Sequence, residues 1–276
     1  MIKVGYVEIA QDRFPDNTLL MKINEEVQTY CADACNIDMF WYYENDAELF
    51  ALICVKRYID ENFYNRNIVL YMPYIPHARQ DRVKKDEDVF TLKYFCEVIN
   101  SLNFTCVVVR DAHSNVSLAL LNNVVDEQAD VFIRQAIDES KTKVLFFPDE
   151  GAMKRYSDRT KMPYAFGMKK RDWETGNILS LDIINAEAVV GKDVLIIDDI
   201  CSRGGTFYYA AKALKAAGAK SVSLYVTHLE ETVITGDLAA SDGLVDHVYT
   251  TKSIFPERLF NEGYDPYWKE WITILD

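Results

Sequence analysis

Short apolar runs alternate with amphipathic stretches along the whole chain. Five apolar runs predict strands, at residues 67–73, 104–111, 143–149, 192–199 and 221–228. Their nearly continuous hydrophobicity is typical of parallel strands buried on both faces. Four amphipathic stretches predict helices, at residues 46–61, 91–103, 127–140 and 206–220. The last of these ends on Gly218, a residue type favoured just past a helix end. This alternation predicts a doubly wound, mainly parallel α/β fold.

The length of 276 residues fits one or two domains. The chain has no repeat of fixed period and no linker rich in Pro, Gly or Ser, but its least hydrophobic seam lies near residues 122–128. We therefore predict a boundary there, with an N-terminal domain at residues 1–124 and a C-terminal domain at residues 125–276. Both halves would have an ordinary domain size.

Acidic residues outnumber basic ones by 43 to 30, which gives a net charge of −13. Such a charge disfavours non-specific binding to nucleic acid, because phosphates repel an acidic surface. No apolar run approaches the roughly 20 residues that span a bilayer. The first residues also lack the basic and apolar regions of a signal peptide. We expect a cytoplasmic protein without membrane contact, whose six cysteines are mostly buried thiols.

The segment VLIIDDICSRGGT, at residues 194–206, carries the clearest chemistry. It reads as a buried strand, two carboxylates, a Gly-Gly turn and the start of a helix. Ligands of open α/β sheets bind beyond the carboxyl ends of the strands, and glycines let backbone N–H groups approach a phosphate at a helix N-terminus. Asp198 and Asp199 would then meet hydroxyl groups or a phosphate-bound Mg²⁺. An ordinary strand-to-helix turn with a solvated Asp pair is the alternative.

This segment resembles the phosphoribosyl pyrophosphate (PRPP) motif that type I phosphoribosyltransferases share with ribose-phosphate diphosphokinases, the PRPP synthetases. The choice between them comes from MPYIPHARQDRV at residues 72–83, which resembles the ATP-binding signature of the diphosphokinases. Four more segments match that family in order: RFPDN (13–17), VRDAHSN (109–115), FPDEGAMKR (147–155) and GMKKRDW (167–173). The resemblance implies two type I phosphoribosyltransferase-like domains, each a mainly parallel sheet flanked by helices.

The resemblance also implies roles for individual residues. ATP would contact Arg79, Gln80, Asp81 and His113, with Phe14 and Asp16 supplied by a neighbouring subunit. His113 and Asp149 would bind Mg²⁺, and Asp149 would also lie at the ribose-phosphate site. Asp198 and Asp199 would hold the ribose hydroxyls as part of the catalytic set with Lys169 and Arg171. The 5-phosphate would be bound by the loop residues Ser202, Arg203, Gly204, Gly205 and Thr206.

Each group has a structural alternative. The cations from Arg79 to Lys85 could form a solvated turn, and His113 could be an ordinary strand-end histidine. The run from Lys169 to Arg171 could be an exposed charge cluster. His77 occupies an aromatic position of the family pattern, which would allow a stacking role.

The chain departs from the family pattern in ways that bear on the substrate. The phosphate loop of the family usually reads Asp-Thr-Gly-Gly-Thr, whereas Ser202 and Arg203 precede the glycines here. The local charge is therefore more positive by about two units, which favours an acceptor with more phosphate. Asn17 and Thr18 replace Gly and Glu in the loop after Phe14. We also expect the first strand-helix unit and the terminal helix of the family to be trimmed.

The expected activity is Mg²⁺-dependent transfer of the pyrophosphoryl group of ATP to the 1-hydroxyl of ribose 5-phosphate, with release of AMP. A 5′-extended ribose such as ADP-ribose is an alternative acceptor. We expect a homo-oligomer with a shared ATP site. Two other functions remain open: a catalytically silent subunit that regulates an active synthetase, and a phosphoribosyltransferase that consumes PRPP.

Overall fold

The computed structural model describes residues 1–171, 178–240, 243–260 and 267–275. The chain divides into two compact units, Met1–Glu127 and Gln128–Asp276. The division falls just beyond the boundary predicted at residue 124, because residues 124–127 form the last strand of the first sheet instead of a linker. Among the described residues, no helix is long and apolar enough to cross a membrane.

The first unit contains eight strands and four helices in the order β1 (Ile2–Val4), β2 (Val7–Glu8), β3 (Gln11–Arg13), β4 (Leu19–Met21), α1 (Glu25–Asp33), β5 (Asn36–Trp41), α2 (Glu48–Asn62), β6 (Asn67–Tyr71), α3 (Thr91–Ser101), β7 (Cys106–Arg110), α4 (Asn115–Leu120) and β8 (Val124–Glu127). Six strands form one sheet in the order β2-β1-β5-β6-β7-β8. Strands β5 to β8 are parallel, whereas β1 runs antiparallel to β5 and to β2. Strands β3 and β4 form a separate hairpin.

One face of the first sheet is the more deeply buried. In β5 the side chains of Ile37, Met39 and Trp41 are fully buried, whereas Asp38 and Phe40 are only half-buried. The two-residue period of a strand explains this alternation. The buried side chains join the residues of α2 and α3 in a single hydrophobic cluster.

The described part of the second unit contains seven strands and four α-helices in the order α5 (Asp130–Ser140), β9 (Val144–Phe147), α6 (Glu150–Thr160), β10 (Tyr164–Arg171), β11 (Ile178–Ile184), β12 (Asp193–Cys201), α7 (Gly205–Ala216), β13 (Ser221–Leu229), β14 (His247–Thr251), α8 (Tyr267–Trp271) and β15 (Ile272–Leu275). Short 3-10 helices occupy Ala186–Val189, Glu231–Thr235 and Glu257–Phe260. The sheet order is β11-β10-β9-β12-β13-β14-β15, and every pairing is parallel except that between β10 and β11.

Both faces of the second sheet are buried. Val194 and Ile196 of β12 lie in a hydrophobic cluster with residues of α7, whereas Leu195 and Ile197 lie in a cluster with residues of α5 and α6. Burial on both faces accounts for the continuous apolar sequence of this strand. Its first charged positions after the apolar run are Asp198 and Asp199, where the chain approaches the carboxyl edge.

The predicted strands and helices are confirmed, with boundaries shifted by a few residues. The helix predicted from residue 127 begins instead at Asp130, because Glu127 is the last residue of β8. Gly218 has a φ of 93°, as a residue just past a helix end requires. Of the cysteines, Cys31, Cys96 and Cys201 are buried, whereas Cys35 is exposed and departs from the expectation of buried thiols.

Candidate active site

The paired aspartates of β12 belong to opposite faces of the second sheet. Side chains alternate along a strand, so Asp198 continues the face of Ile196 and Asp199 continues the face of Ile197. Asp199 is 6% exposed, and its Oδ2 lies 3.5 Å from Nη1 of Arg155 on α6. The two adjacent carboxylates therefore have different surroundings, and the guanidinium group of Arg155 lies close to Asp199.

Asp198 lies in an excess of negative charge. Burial raises the pKa of its carboxyl well above the ordinary aspartate value, and the neighbouring carboxylates of Asp199 and Asp149 raise it further. The Asp199 backbone N–H donates to Oδ1 of Asp198 over 3.0 Å, which offsets part of this effect. A bound cation or the hydroxyl groups of a sugar would relieve the repulsion.

Asp149 follows β9 and begins α6. Its Oδ1 accepts a hydrogen bond of 3.1 Å from the backbone N–H of Ala152, so the residue caps the helix. This structural role does not remove the carboxylate from the acidic group, because Asp149 is one of the charges that raise the pKa of Asp198. The carboxyl end of β9 and that of β12 thus bring three aspartates into one electrostatic environment.

The loop after β12 requires its first glycine. Gly204 has a φ of 83°, and a Cβ placed on it would lie 2.4 Å from Cβ of Leu238. Gly205 and Thr206 then open α7, whose N-terminus has no side-chain cap. Free backbone N–H groups at a helix N-terminus favour an anion. This geometry suits a phosphate, although Oδ2 of Asp237 lies 3.1 Å from where a Cβ of Gly205 would be.

A second loop, which the sequence analysis missed, supports the first. A Cβ on Gly236 would lie only 2.1 Å from the carbonyl oxygen of Arg203, so the two backbones are in direct contact. Oγ of Ser202 lies 3.2 Å from Oγ1 of Thr232, and Nη2 of Arg203 donates to the Thr235 carbonyl over 3.4 Å. The signal available in the sequence was the single glycine of Thr-Gly-Asp after β13.

The segment of the proposed catalytic arm lies in β10. Tyr164 to Phe166 pair with Leu145 to Phe147 of β9, so the later residues of β10 continue past the carboxyl end of β9. There β10 pairs with β11, and Lys169 stands opposite Leu181. The side chains of Lys169, Lys170 and Arg171 lie outside the described residues, as do residues 172–177.

The hairpin of β3 and β4 carries Phe14 and Asp16 at its tip. Within residues 1–13 there are three short strands and no helix. Both Oγ1 and N of Thr18 donate to Oδ1 of Asp16, over 2.7 and 3.0 Å, and these bonds lower the pKa of Asp16. Phe14 is 49% exposed. An exposed aromatic ring on an ordered turn is available to a molecule outside this unit.

The predicted ATP-binding run and His113 come together in the first unit. Asp81 is buried, and Arg82 binds both of its carboxylate oxygens over 2.7 and 3.0 Å. The hydrogen bonds from Arg82 and Ser114, together with the charge of His113, lower the pKa of Asp81. Asp81 therefore links the 79–82 segment to the segment after β7. Arg79, Gln80 and His113 are themselves exposed.

The acidic residues fit a magnesium ion only in a particular way. Among the described residues, no group of three or more His, Cys, Asp or Glu side chains could hold a metal ion. Mg²⁺ is commonly bound by one or two carboxylates, with substrate phosphates and water completing its shell. The raised pKa of Asp198 indicates that a bound cation would relieve the charge repulsion at this site. The residues therefore suit a metal that arrives with a phosphate ligand.

Comparisons with known proteins address the family. The phosphoribosyl transferase domain model matches residues 152–265. A ribose-phosphate pyrophosphokinase of Saccharolobus solfataricus is 25% identical over 237 residues, which cover 83% of this chain and 79% of the relative. One from Corynebacterium ammoniagenes is 29% identical over 267 residues, which cover 93% and 81%. The chain is therefore similar to ribose-phosphate pyrophosphokinases over most of its length.

A solved structure supports the same relationship at the level of the fold. The crystal structure of phosphoribosylpyrophosphate synthetase from Mycobacterium smegmatis superposes with a TM-score of 0.74 at 19% identity. The match covers 97% of this chain and 85% of that chain. The predicted resemblance to ribose-phosphate pyrophosphokinases and the predicted phosphoribosyltransferase-like fold are confirmed.

The raised pKa of Asp198 predicts a specific pH dependence of stability. Between the ordinary aspartate pKa and the raised folded value, the unfolded chain is ionised while the folded protein keeps its proton. The free energy of unfolding should therefore fall as pH rises through this window. Asp198→Asn should abolish that decrease and make the protein more stable than the wild type at neutral pH. Urea unfolding at about pH 4.5 and about pH 7.5 measures this difference.

Asp193, in the same strand, is the matched control of opposite sign. Hydrogen bonds from Ser221 and Lys220 lower its pKa, so its contribution to stability is present at neutral pH and is lost as pH falls through the folded pKa. Asp193→Asn should therefore destabilise the protein at neutral pH. If Asp198→Asn lowers neutral-pH stability in the same way, the acidic repulsion assigned to Asp198 is wrong.

Proposed function

We propose that this protein transfers the β,γ-pyrophosphoryl group of ATP to the 1-hydroxyl of ribose 5-phosphate and releases AMP. The observation that carries the proposal is the arrangement at the carboxyl end of β12, where an acidic pair leads into a glycine turn and an uncapped helix. The named activity of the homologues, which cover most of the chain, adds the reaction class.

The acceptor would bind through the second unit. The loop from Ser202 to Thr206 would hold the 5-phosphate, since its glycines bring backbone N–H groups and a helix N-terminus to one place. Asp198 and Asp199 would accept hydrogen bonds from the ribose hydroxyls. This division would keep the phosphate apart from Asp198 and Asp199 and the sugar beside them, with Asp237 as the carboxylate next to the phosphate loop.

The nucleotide would bind through Arg79, Gln80 and the segment that Asp81 supports, with Phe14 and Asp16 from a neighbouring subunit in a homo-oligomer. Mg²⁺ would neutralise phosphate charge, and its candidate protein ligands are His113 in the first unit and Asp149 in the second. Pyrophosphoryl transfer depends mainly on positioning and electrostatic stabilisation. Lys169 and Arg171 would provide cations as charge develops on the transferred group.

The bond changes are those of an in-line displacement. The oxygen of the 1-hydroxyl forms a bond to the β-phosphorus of ATP, and the bond from that phosphorus to the bridging oxygen of AMP breaks. The hydroxyl proton passes to solvent or to a nearby base. The products are AMP and the 1-pyrophosphorylated sugar phosphate, with no change of oxidation state.

The direct test follows AMP release by the purified protein with ATP, Mg²⁺ and ribose 5-phosphate. Turnover should depend on the acceptor, and replacing Lys169 and Arg171 together by Ala should lower kcat by about a hundredfold or more. Lys212→Gln, which removes an exposed cation from α7, is the control and should leave turnover near the wild-type value.

Other outcomes would replace the proposal. Without AMP release above the background of ATP alone, and without ATP binding by calorimetry, the protein would be a catalytically silent partner. Release of pyrophosphate from PRPP in the presence of a nucleobase would identify a phosphoribosyltransferase. Undiminished turnover in the double variant would overturn the role of the arm.

Arg203 favours a second acceptor, a 5′-extended ribose such as ADP-ribose. Its side chain is exposed beside the glycine loop, where it adds a cation to the proposed phosphate site. A charge-assisted hydrogen bond to a further phosphate would strengthen binding of the extended acceptor in particular.

Arg203→Thr tests this acceptor. Because a hydrogen bond to a charged group contributes about 1.5–3 kcal/mol, the variant should raise the KM for ADP-ribose by about tenfold or more. The KM for ribose 5-phosphate should change less. Initial rates of AMP release with each acceptor give the comparison, with Lys212→Gln again as control. Equal effects on both acceptors, or no turnover of ADP-ribose by the wild type, would contradict the extended-acceptor proposal.

A further inference from the structure

His77 has an unusual backbone conformation in the loop after β6. Its φ is 64°, in the left-handed region that residues with a side chain seldom adopt. Such a conformation persists where the surrounding structure holds it in place. The residue lies two positions before Arg79 and three before Gln80, both of which are exposed.

The imidazole ring of His77 connects this loop to two other elements. Its Nε2 lies 3.1 Å from Oδ1 of Asp46, in the turn before α2. The ring centroid lies 5.6 Å from that of Phe95 on α3. The hydroxyl of Tyr43 donates to the same Oδ1 of Asp46 over 2.9 Å, which holds the carboxylate in place. His77 thus connects the loop to the turn before α2 and to α3.

The backbone of His77 in turn orients Gln80. The Gln80 N–H donates to the His77 carbonyl over 2.9 Å. The side chain of Gln80 accepts a hydrogen bond of 2.7 Å from Oγ1 of Thr91, at the start of α3. These two hydrogen bonds hold Gln80, and the first of them depends on the backbone conformation of His77.

We propose that His77, through its contact with Asp46, is a positioning residue for the nucleotide loop. It would hold Arg79 and Gln80 in the arrangement that binds ATP, so the proposal rests on the proposed binding of ATP by those two residues. Loss of the contact should weaken ATP binding and leave the transfer step little changed, because neither His77 nor Asp46 belongs to the proposed catalytic set.

Other side chains surround the contact between His77 and Asp46. Asp46 faces the ring directly, and Tyr43 and Tyr74 lie beyond it with ring centroids 6.1 Å apart. Burial and the hydrogen bond to Asp46 raise the pKa of Tyr43, so its hydroxyl stays protonated and continues to donate to Asp46. Glu48 is buried and accepts from Nε1 of Trp41.

The test compares His77→Asn and Asp46→Asn with the wild type. Asn tolerates the left-handed region, so the first variant keeps the backbone while it removes the ring. The KM for ATP and kcat are measured at a single pH. Both variants should raise the KM by about two- to fivefold, because an exposed contact of this kind has a modest strength. The value of kcat should change little, and this split between KM and kcat separates a positioning role from a general loss of structure.

Asp33→Asn removes an exposed carboxylate from α1 and is the matched control, so it should keep the wild-type KM. Calorimetric titration with ATP supplies a readout independent of turnover, in which both variants should lose affinity. An unchanged KM for ATP in either variant, or a loss of kcat as large as the rise in KM, would overturn the proposal. If the wild type releases no AMP, the proposed function fails, and ATP binding by calorimetry then carries the same comparison.

Discussion

Parallel pairing of β9, β12 and β13 is the constraint on which the second unit depends. Their apolar residues are buried on both faces of the sheet, so charged side chains are confined to the strand ends. Parallel order places the carboxyl ends of all three strands at one edge. Asp149, which follows β9, therefore meets Asp198 and the glycine loop, which follow β12, although they are distant in sequence.

The cost of this arrangement is electrostatic. Three aspartates share one environment, and the pKa of Asp198 is raised by burial and by the other two. Arg155 compensates Asp199 from the opposite face. Binding of sugar hydroxyls or a cation would lower the free energy of this site, because it would relieve the repulsion between the carboxylates. Because the net charge of the chain is negative, binding of phosphate groups would depend on local cations such as Arg203 and the basic residues of β10.

Local patterns were enough to predict five of the strands, four of the helices and the positions of the glycine loop. These features follow from hydrophobic period and turn chemistry, which are properties of short segments. The supporting contact of Gly236 with Arg203 could not be predicted, because the two residues follow different strands and only the parallel pairing brings them together. The same applies to His77 and Asp46, which are 31 positions apart. The strand at residues 124–127 was missed because it lies at a sheet edge and has little apolar character.

The central claim is that the loop after β12 holds the phosphate of the sugar acceptor through its backbone. Calorimetric titration of ribose 5-phosphate into the wild type and into Gly204→Ala tests it most directly. A Cβ at this position clashes with Leu238, and a side chain strains the left-handed backbone, so the loop must shift. We predict at least a tenfold loss of affinity in a variant whose circular dichroism spectrum is unchanged, since a displaced loop loses hydrogen bonds to a charged group. Equal affinity in the two proteins would contradict the account.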